Sequence, residues 1–455
     1  MKSSKETSCS LKLALGSLKH AIRAVDPERL IRKSLKTKDG KLFVYDIEQR
    51  KTALDLGSFD SIYLIGAGKA TSKMAMAVSN VLAHRISGGA ITVPYGINDI
   101  IEGIFITHSS HPTPDISGVK GTKKMINILR KTRPSDLVIV LISGGGSSLM
   151  PLPSKDLSLS EKQAVTNSLI LSGASIEEIN IVRKHLSRIK GGQLPRYMNE
   201  KCRLVSLIIS DVINDKIEVI ASGPTTPDSS TYEDAARVLK KYNLWNKQHH
   251  RAQAIIDQGL RSHKDETPKP GDTIFQKVTN ILIGNNNVAC TAAANYLIGR
   301  GLEARNLGSS FDGEARYFGR KLAILAKGIQ TKELPLAYVL GGETVVKIDP
   351  TKNHGVGGRN QETLLAAAIQ LKNPPIDQDT TIVCVGTDGI DGNSEAAGAF
   401  LNSQGISNIM SKNLDGRYFL KTHNSYCFFK QLNSLVITGR TGTNVNDISI
   451  ICSTK

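Results

Sequence analysis

Two kinds of residue in this chain have the types and spacing to do chemistry together. Asp211, Asp215, Glu343, Asp388 and Asp391 each follow a short apolar run, and Lys69, Arg183, Lys184, Lys190 and Arg359 lie in or beside glycine-rich or polar stretches. Carboxylates with nearby cations and glycine loops suit a divalent metal and phosphates, because phosphoryl transfer needs charge neutralisation and positioning more than covalent help. Any one of these acids could equally cap a helix or close a turn, so the weight falls on the set. The barest loop is in LVIVLISGGGSSLMPLP, residues 137–153. Gly144, Gly145 and Gly146 carry no Cβ, so the backbone can turn sharply and let an anion approach its N–H groups, while Ser143, Ser147 and Ser148 add hydroxyls.

The familiar fingerprints do not account for these loops. Gly68-Lys69 is followed by alanine, not serine or threonine, so there is no P-loop, and Gly66, Gly68 and Thr71 break the dinucleotide G-x-G-x-x-G pattern. Gly145-x-Ser147-x-Leu149 lacks the last glycine of a nucleophile elbow. His108 and His111 have no carboxylate at zinc-enzyme spacing.

The elements that must position these loops repeat one pattern. The run 137–142 has the length and branched composition of a strand buried on both faces. Similar runs at 61–65, 103–107 and 204–209 lead into GAGKA, HSSHPTPD and SDVIND, and runs at 281–283, 336–340, 381–385 and 435–437 lead into GNNN, GGET, GTDGIDG and TGRTGTNVND. Helical periodicity lies between them, as at 120–130 and 161–172, and again at 11–35. Strands alternating with helices predict an α/β fold with largely parallel sheets and ligands outside the carboxyl ends of the strands.

A chain of 455 residues is long enough for two domains, and the hydrophilic stretch RSHKDETPKPGD at 261–272 is the best linker, predicting domains 1–265 and 273–455. The formal charge of +17 fits a basic cleft for small anions as well as it fits nucleic acid, and no nucleic-acid motif is evident. Six scattered cysteines without a C-x-x-C pair indicate reduced thiols in a reducing compartment. The absence of a long apolar stretch argues against a membrane span. The basic, serine-rich start weakly suggests mitochondrial import, but Glu6, Asp26 and Glu28 favour a structural helix and a cytoplasmic protein.

At these residues the sequence resembles the type-2 glycerate kinases, whose C-terminal portion is the MOFRL domain. The resemblance covers nearly the whole chain: GAGKA at 66, HPTPD at 111, SGGGSSLMPLP at 143, INIVRKHLSRIKGG at 179, SDVIND from 210 with IASGPT, GGET at 341, GVGGRNQE at 355, GTDGIDG from 386 with AAGA, and TGTNVND at 441. It implies an ATP- and Mg²⁺-dependent kinase that phosphorylates D-glycerate at the 2-hydroxyl in a cleft between two α/β domains, the first Rossmann-like, with small molecules as its partners. Lys69 and Arg359 match a basic pair thought functional in that family. On this reading Gly66, Gly68 and residues 143–148 hold ATP phosphates. Arg183, Lys190, Asn360 and Asn444 contact substrate, one or more of Asp211, Glu343 and Asp388 hold Mg²⁺, and Asp388 orients the attacking hydroxyl. Asp211 is also counted with the catalytic residues. The sequence departs from the family at Asn214, where glycine is usual, at Asn393-Ser394-Glu395, and at Arg440. The rival readings are a hydroxypyruvate reductase using NADH or NADPH, and a basic anion- or nucleic-acid-binding protein without turnover.

Overall fold

The computed structural model describes residues 8–245, 247–262, 266–330, 335–349, 351, 353–372, 375–376 and 380–454. Three strands, β1 (Leu35–Lys38), β2 (Lys41–Tyr45) and β3 (Lys51–Asp55), make an antiparallel meander. Six more, β4 (Ser61–Ala67), β5 (Ile86–Pro94), β6 (Ile104–Ser109), β7 (Asp136–Ile142), β8 (Arg203–Ile209) and β9 (Val278–Gly284), form a wholly parallel sheet in the order β6-β5-β4-β7-β8-β9. Numbered from β4, that order is the 3-2-1-4-5-6 of dinucleotide-binding folds. The Rossmann-like expectation holds, and the order reverses between β4 and β7, where such sheets place their ligands. Strand β7 is buried along its whole length, as its unbroken apolar run requires.

The last six strands, β10 (Glu303–Asn306), β11 (Leu336–Gly342), β12 (Thr380–Gly386), β13 (Gly398–Asn402), β14 (Leu435–Val436) and β15 (Asp447–Ser453), form a second sheet in the order β10-β11-β15-β12-β13-β14. Here the expectation of a largely parallel sheet needs correction. Only β10 and β11 pair in parallel, and every other pairing is antiparallel. The C-terminal β15 runs back between β11 and β12. Its start therefore lies beside the carboxyl ends of both, and three polar loops meet at one edge of the sheet.

The chain divides into two compact units, residues 30–284 and residues 1–29 with 285–455. This shifts the boundary predicted at 261–272, whose residues 263–265 lie outside the described ones, as does the start of the chain at 1–7. Strand β9 belongs to the parallel sheet, so the first unit cannot end before Gly284. The amphipathic helix Cys9–Ala24 buries Ala14, Leu18 and Ala21 and packs on the helix Asn286–Ile298. Ser17 Oγ donates to the Ala293 carbonyl at 3.0 Å, which anchors the first helix in the C-terminal unit. The periodicity at 11–35 resolves into this helix and a second, Pro27–Ser34, broken by the proline.

Each unit has its own core. In the 30–284 unit, Ile65, Val138, Val140, Ile142, Leu204 and Ile208 of the sheet pack with Met125 and Leu129 of the helix Ile116–Leu129. In the other unit, Leu364, Leu365 and Ala368 pack with Ile382, Cys384 and Ile451.

Candidate functional site

At the switch point of the parallel sheet, the ends of β4 and β7 are drawn together. A Cβ on Gly66 would lie 2.3 Å from the Leu141 carbonyl, and Gly68, at φ +150°, has the Ser143 hydroxyl where its Cβ would fall. Close approach of two backbones thus accounts for these glycines in GAGKA. The Lys69 N–H donates to the Gly144 carbonyl at 2.8 Å, and Ser143 Oγ accepts from the Ala70 N–H at 3.1 Å. Ser143 is buried, so its hydroxyl holds the two loops in register. His111 and the stem of Lys69 both lie against Gly145, which turns at φ +82°. Lys69 itself is partly exposed. His111 opens the HPTPD motif, and its place beside Gly145 makes it a neighbour of Lys69.

Lys190 is 3% exposed and donates to the Ser147 carbonyl and hydroxyl, both at 2.7 Å. Ser148 Oγ donates to the Gly145 carbonyl at 3.0 Å. Arg183 lies in the helix Ile176–His185, and burial lowers its pKa. Its neighbour Lys184 pairs with the buried Asp228 at 3.1 Å and is structural. Asp211 and Asp215 follow β8 in a turn, with Asn214 at φ +62° and Asp215 at φ +52°. Asparagine is among the few residues with a side chain that accept this left-handed conformation, so the departure from glycine at Asn214 keeps the turn.

In the other unit, Glu343 follows β11, Arg359 opens the helix Arg359–Gln370, and Asp447 begins β15. The Arg359 guanidinium bonds Glu343 Oε1 at 2.5 Å and Asp447 Oδ2 at 2.7 Å. Asn360 Nδ2 donates to Asp447 Oδ1 at 2.9 Å. Burial works against the charge on Arg359, yet Asp447 and Glu343 outweigh it and keep it more firmly protonated than an ordinary arginine. Burial pushes the Asp447 carboxyl up to about 7, with Arg359 pulling it back. The Arg359 side chain is 31% exposed, so it can still meet a ligand, although its donors already serve two acids.

Asp391, placed with the chemical acids by sequence, has a different use. It is 1% exposed and accepts from the backbone N–H of Asn360 and Gln361 at 3.0 and 2.8 Å and from both their side chains. The helix begins after Gly358, which has no side chain to cap it, and Asp391 supplies the acceptor from the loop after β12. Asp391→Ala would orphan these donors, and stability should fall by at least about 3 kcal/mol. Urea unfolding measures it, and a loss under about 1 kcal/mol would deny Asp391 this role. The departing turn Asn393-Ser394-Glu395 is tied into the same region: Gln361 Nε2 donates to Ser394 Oγ at 2.8 Å, and the Gly357 N–H donates to Asn393 Oδ1 at 2.9 Å.

Asp388 is partly exposed, and its Oδ1 accepts from the Ile390 N–H at 3.2 Å. The loop carrying Asn444 is held to the same edge, since Thr441 Oγ1 donates to the Thr387 carbonyl at 2.7 Å. Asn444 Oδ1 accepts from the Asn446 N–H at 3.2 Å. Among the described residues, no three acidic, histidine or cysteine side chains gather as a metal site. A Mg²⁺ ion that keeps its waters and takes phosphate oxygens needs only one or two carboxylates, which the partly exposed acids Asp211, Glu343 and Asp388 can each offer. Sequence reasoning missed Asp447 and the buried Glu362, which accepts from Arg316 Nε at 2.8 Å and bonds His423 at 2.9 Å. Both stood inside quoted motifs, GVGGRNQE and TGTNVND, and that position was the available signal.

A Rossmann-type parallel sheet with a glycine-rich loop at its switch point, and a mixed sheet with an arginine held between two acids, define a two-unit α/β protein. Residues 13–257 match the family described as a domain of unknown function (DUF4147), and residues 336–447 match the MOFRL family. The chain is 38% identical over 445 residues to a D-glycerate 2-kinase from Thermotoga maritima, covering 96% of this chain and 97% of that one. A crystal structure of glycerate kinase from Thermotoga maritima superposes with a TM-score of 0.83 at 37% identity, covering 97% of this chain and 99% of that one. A relative from Agrobacterium vitis, 39% identical over 392 residues and covering 85% of this chain and 86% of that one, is provisionally named hydroxypyruvate reductase. The chain belongs to the glycerate 2-kinase family.

The described helices include none long and apolar enough to cross a membrane. All six cysteines are free thiols, and burial pushes Cys290, Cys384 and Cys452 up to about 12.

Proposed function

We propose that this chain catalyses ATP-dependent phosphorylation of D-glycerate at its 2-hydroxyl, giving 2-phosphoglycerate and ADP, in the cytoplasm. The observation that carries the reading is the clip between Lys69 and Gly144, which sets a cation and a bare glycine loop together at the switch point of the parallel sheet. ATP phosphates lie against this loop, with Lys69 countering charge that develops on the transferring group. Arg359 takes the substrate carboxylate or the phosphoryl group through the donors left beyond Glu343 and Asp447. Asp388 orients the attacking hydroxyl, and Asn360 and Asn444 line its surroundings. Mg²⁺, held by carboxylates from Asp211, Glu343 or Asp388 with phosphate oxygens and water, supplies charge neutralisation when bound.

A carboxylate gripped by arginine leaves the adjacent secondary hydroxyl nearly fixed, while the terminal hydroxyl swings on one further bond, and effective molarity favours the better-held group. The product is therefore expected to be the 2-phospho isomer. Coupling to enolase and pyruvate kinase without phosphoglycerate mutase should yield pyruvate. ADP release without pyruvate, where added 2-phosphoglycerate does give pyruvate, would overturn the regiochemistry.

The strand order of dinucleotide-binding folds favours one second reading, reduction of hydroxypyruvate. Gly66-Ala67-Gly68-Lys69-Ala70-Thr71 lacks the third glycine of that fingerprint. Steady consumption of NADH or NADPH with hydroxypyruvate would favour the reductase.

A further inference from the structure

Four side chains from three sequence motifs make one directional chain beneath the glycine loop. Ser222 Oγ donates its only proton to Asn180 Oδ1 at 3.0 Å. The 3.0 Å contact between Ser147 Oγ and Ser222 Oγ must then be donated by Ser147. Ser147 Oγ is thereby left to accept from Lys190 Nζ, which also donates to the Ser147 carbonyl.

Two of the three donors an ammonium would carry are thus used on one residue, and Lys190 has no third polar partner among the described residues. Its surroundings add basic groups, Lys162 and Arg183, and among the described residues no acid is bonded to it. Lys162, buried on the helix Leu159–Leu171, donates to the carbonyls of Arg183 at 3.1 Å and Leu186 at 2.8 Å. Arg183 comes from the helix Ile176–His185. The acids nearby in sequence and space are already committed: Asp228, beside the Gly191 backbone, serves Lys184, Ser230 and Thr267, and Glu266 serves His185 and Lys269. A buried amine with one open valence beside the Arg183 guanidinium has, among the described residues, no acid bonded to it as counter-ion.

We propose that a bound nucleotide phosphate is that counter-ion: Lys190 rests as a neutral amine that donates twice to Ser147, and it takes up a proton when an anionic oxygen seats on the Gly144–Ser148 loop. The inference rests on the phosphate role of that loop and adds to it a proton linkage at a named residue. Atoms balance simply, since one proton leaves solvent for the Lys190 lone pair and the new N–H donates to the phosphate oxygen. Burial holds the Lys190 ammonium well below the ordinary lysine range, with Lys162 and Arg183 lowering it further. Lys162 is itself brought down to about 7, by burial first and Arg183 second.

The sign follows from linkage. The anion binds the protonated form, so affinity should weaken as pH rises, by up to tenfold per unit while free Lys190 is neutral and bound Lys190 is charged. Titration calorimetry of the whole protein with MgATP, in Hepes and in Tris between about pH 7.5 and 9, reads the linkage directly. Wild type should take up close to one proton per nucleotide. Lys190→Met should bind more weakly with no uptake and no pH slope, and Lys190→Arg, charged throughout, should bind without uptake. Should either variant fail to fold, the wild-type result alone decides. MgATP binding with no proton uptake across this range overturns the inference and leaves the phosphate loop standing. No MgATP binding at all removes both.

Discussion

Lys69→Ala is expected to lower kcat by on the order of 10²-fold or more while leaving the thermal midpoint close to wild type. The two halves of this expectation come from different atoms of one residue. The Lys69 backbone N–H donates to Gly144, beside the clip between Ser143 Oγ and the Ala70 N–H. Neither contact involves the lysine side chain, so alanine keeps both. The side chain is partly exposed and follows a turn, and substitutions at such positions usually shift stability by no more than about 0.5 kcal/mol. Removing the ammonium instead takes away a fixed positive charge where phosphate charge develops, which acts on the transition state more than on the resting protein. Steady-state kinetics with glycerate and ATP, run beside a melting curve, separates the two halves. Unchanged kcat and KM for ATP would remove Lys69 from the site.

This division between backbone and side chain also marks what was legible in the sequence. The runs before GAGKA and SGGGSS, the first at 61–65 and the second at 137–142, are strands because only a doubly covered parallel sheet buries so many consecutive apolar residues. The direction of a strand leaves no such trace. Strand β15 is buried along its length whether it runs with its neighbours or against them, so its antiparallel passage between β11 and β12 was not visible. The domain boundary was misplaced for a related reason: a polar, proline-bearing stretch looks like a linker even where the next strand, β9, returns to the same sheet. Within the sites, sequence supplied residue types but not partners. Asp388 and Asp391 stand three positions apart in one motif. One is partly exposed, and the other is buried beneath a helix start that Gly358 cannot cap. Asp447 went unnoticed because a single aspartate after an asparagine-rich turn reads as a turn residue, and its importance comes from Arg359, 88 positions away in the chain.

Arg359→Met should cost the protein both activity and stability, and a second substitution should restore only the stability. The guanidinium is the cation for the buried Asp447 and also bonds the more exposed Glu343. Taking it away strands Asp447 in a place where burial already raises its carboxyl to about 7 against the pull of arginine. Breaking one side of such a buried pair typically costs about 3 to 5 kcal/mol, because the remaining charge must be protonated or left uncompensated. Adding Asp447→Asn replaces that charge with a neutral group of nearly the same shape, so Arg359→Met/Asp447→Asn should regain most of the lost stability in urea unfolding. Turnover should not return. A planar, permanently charged fork able to meet a carboxylate or a phosphoryl oxygen has no substitute in methionine, and the double variant should remain at least about 10²-fold below wild type in kcat/KM for glycerate. Recovery of turnover together with stability would show that Arg359 serves only to neutralise Asp447, and the grip on substrate would have to pass to another residue.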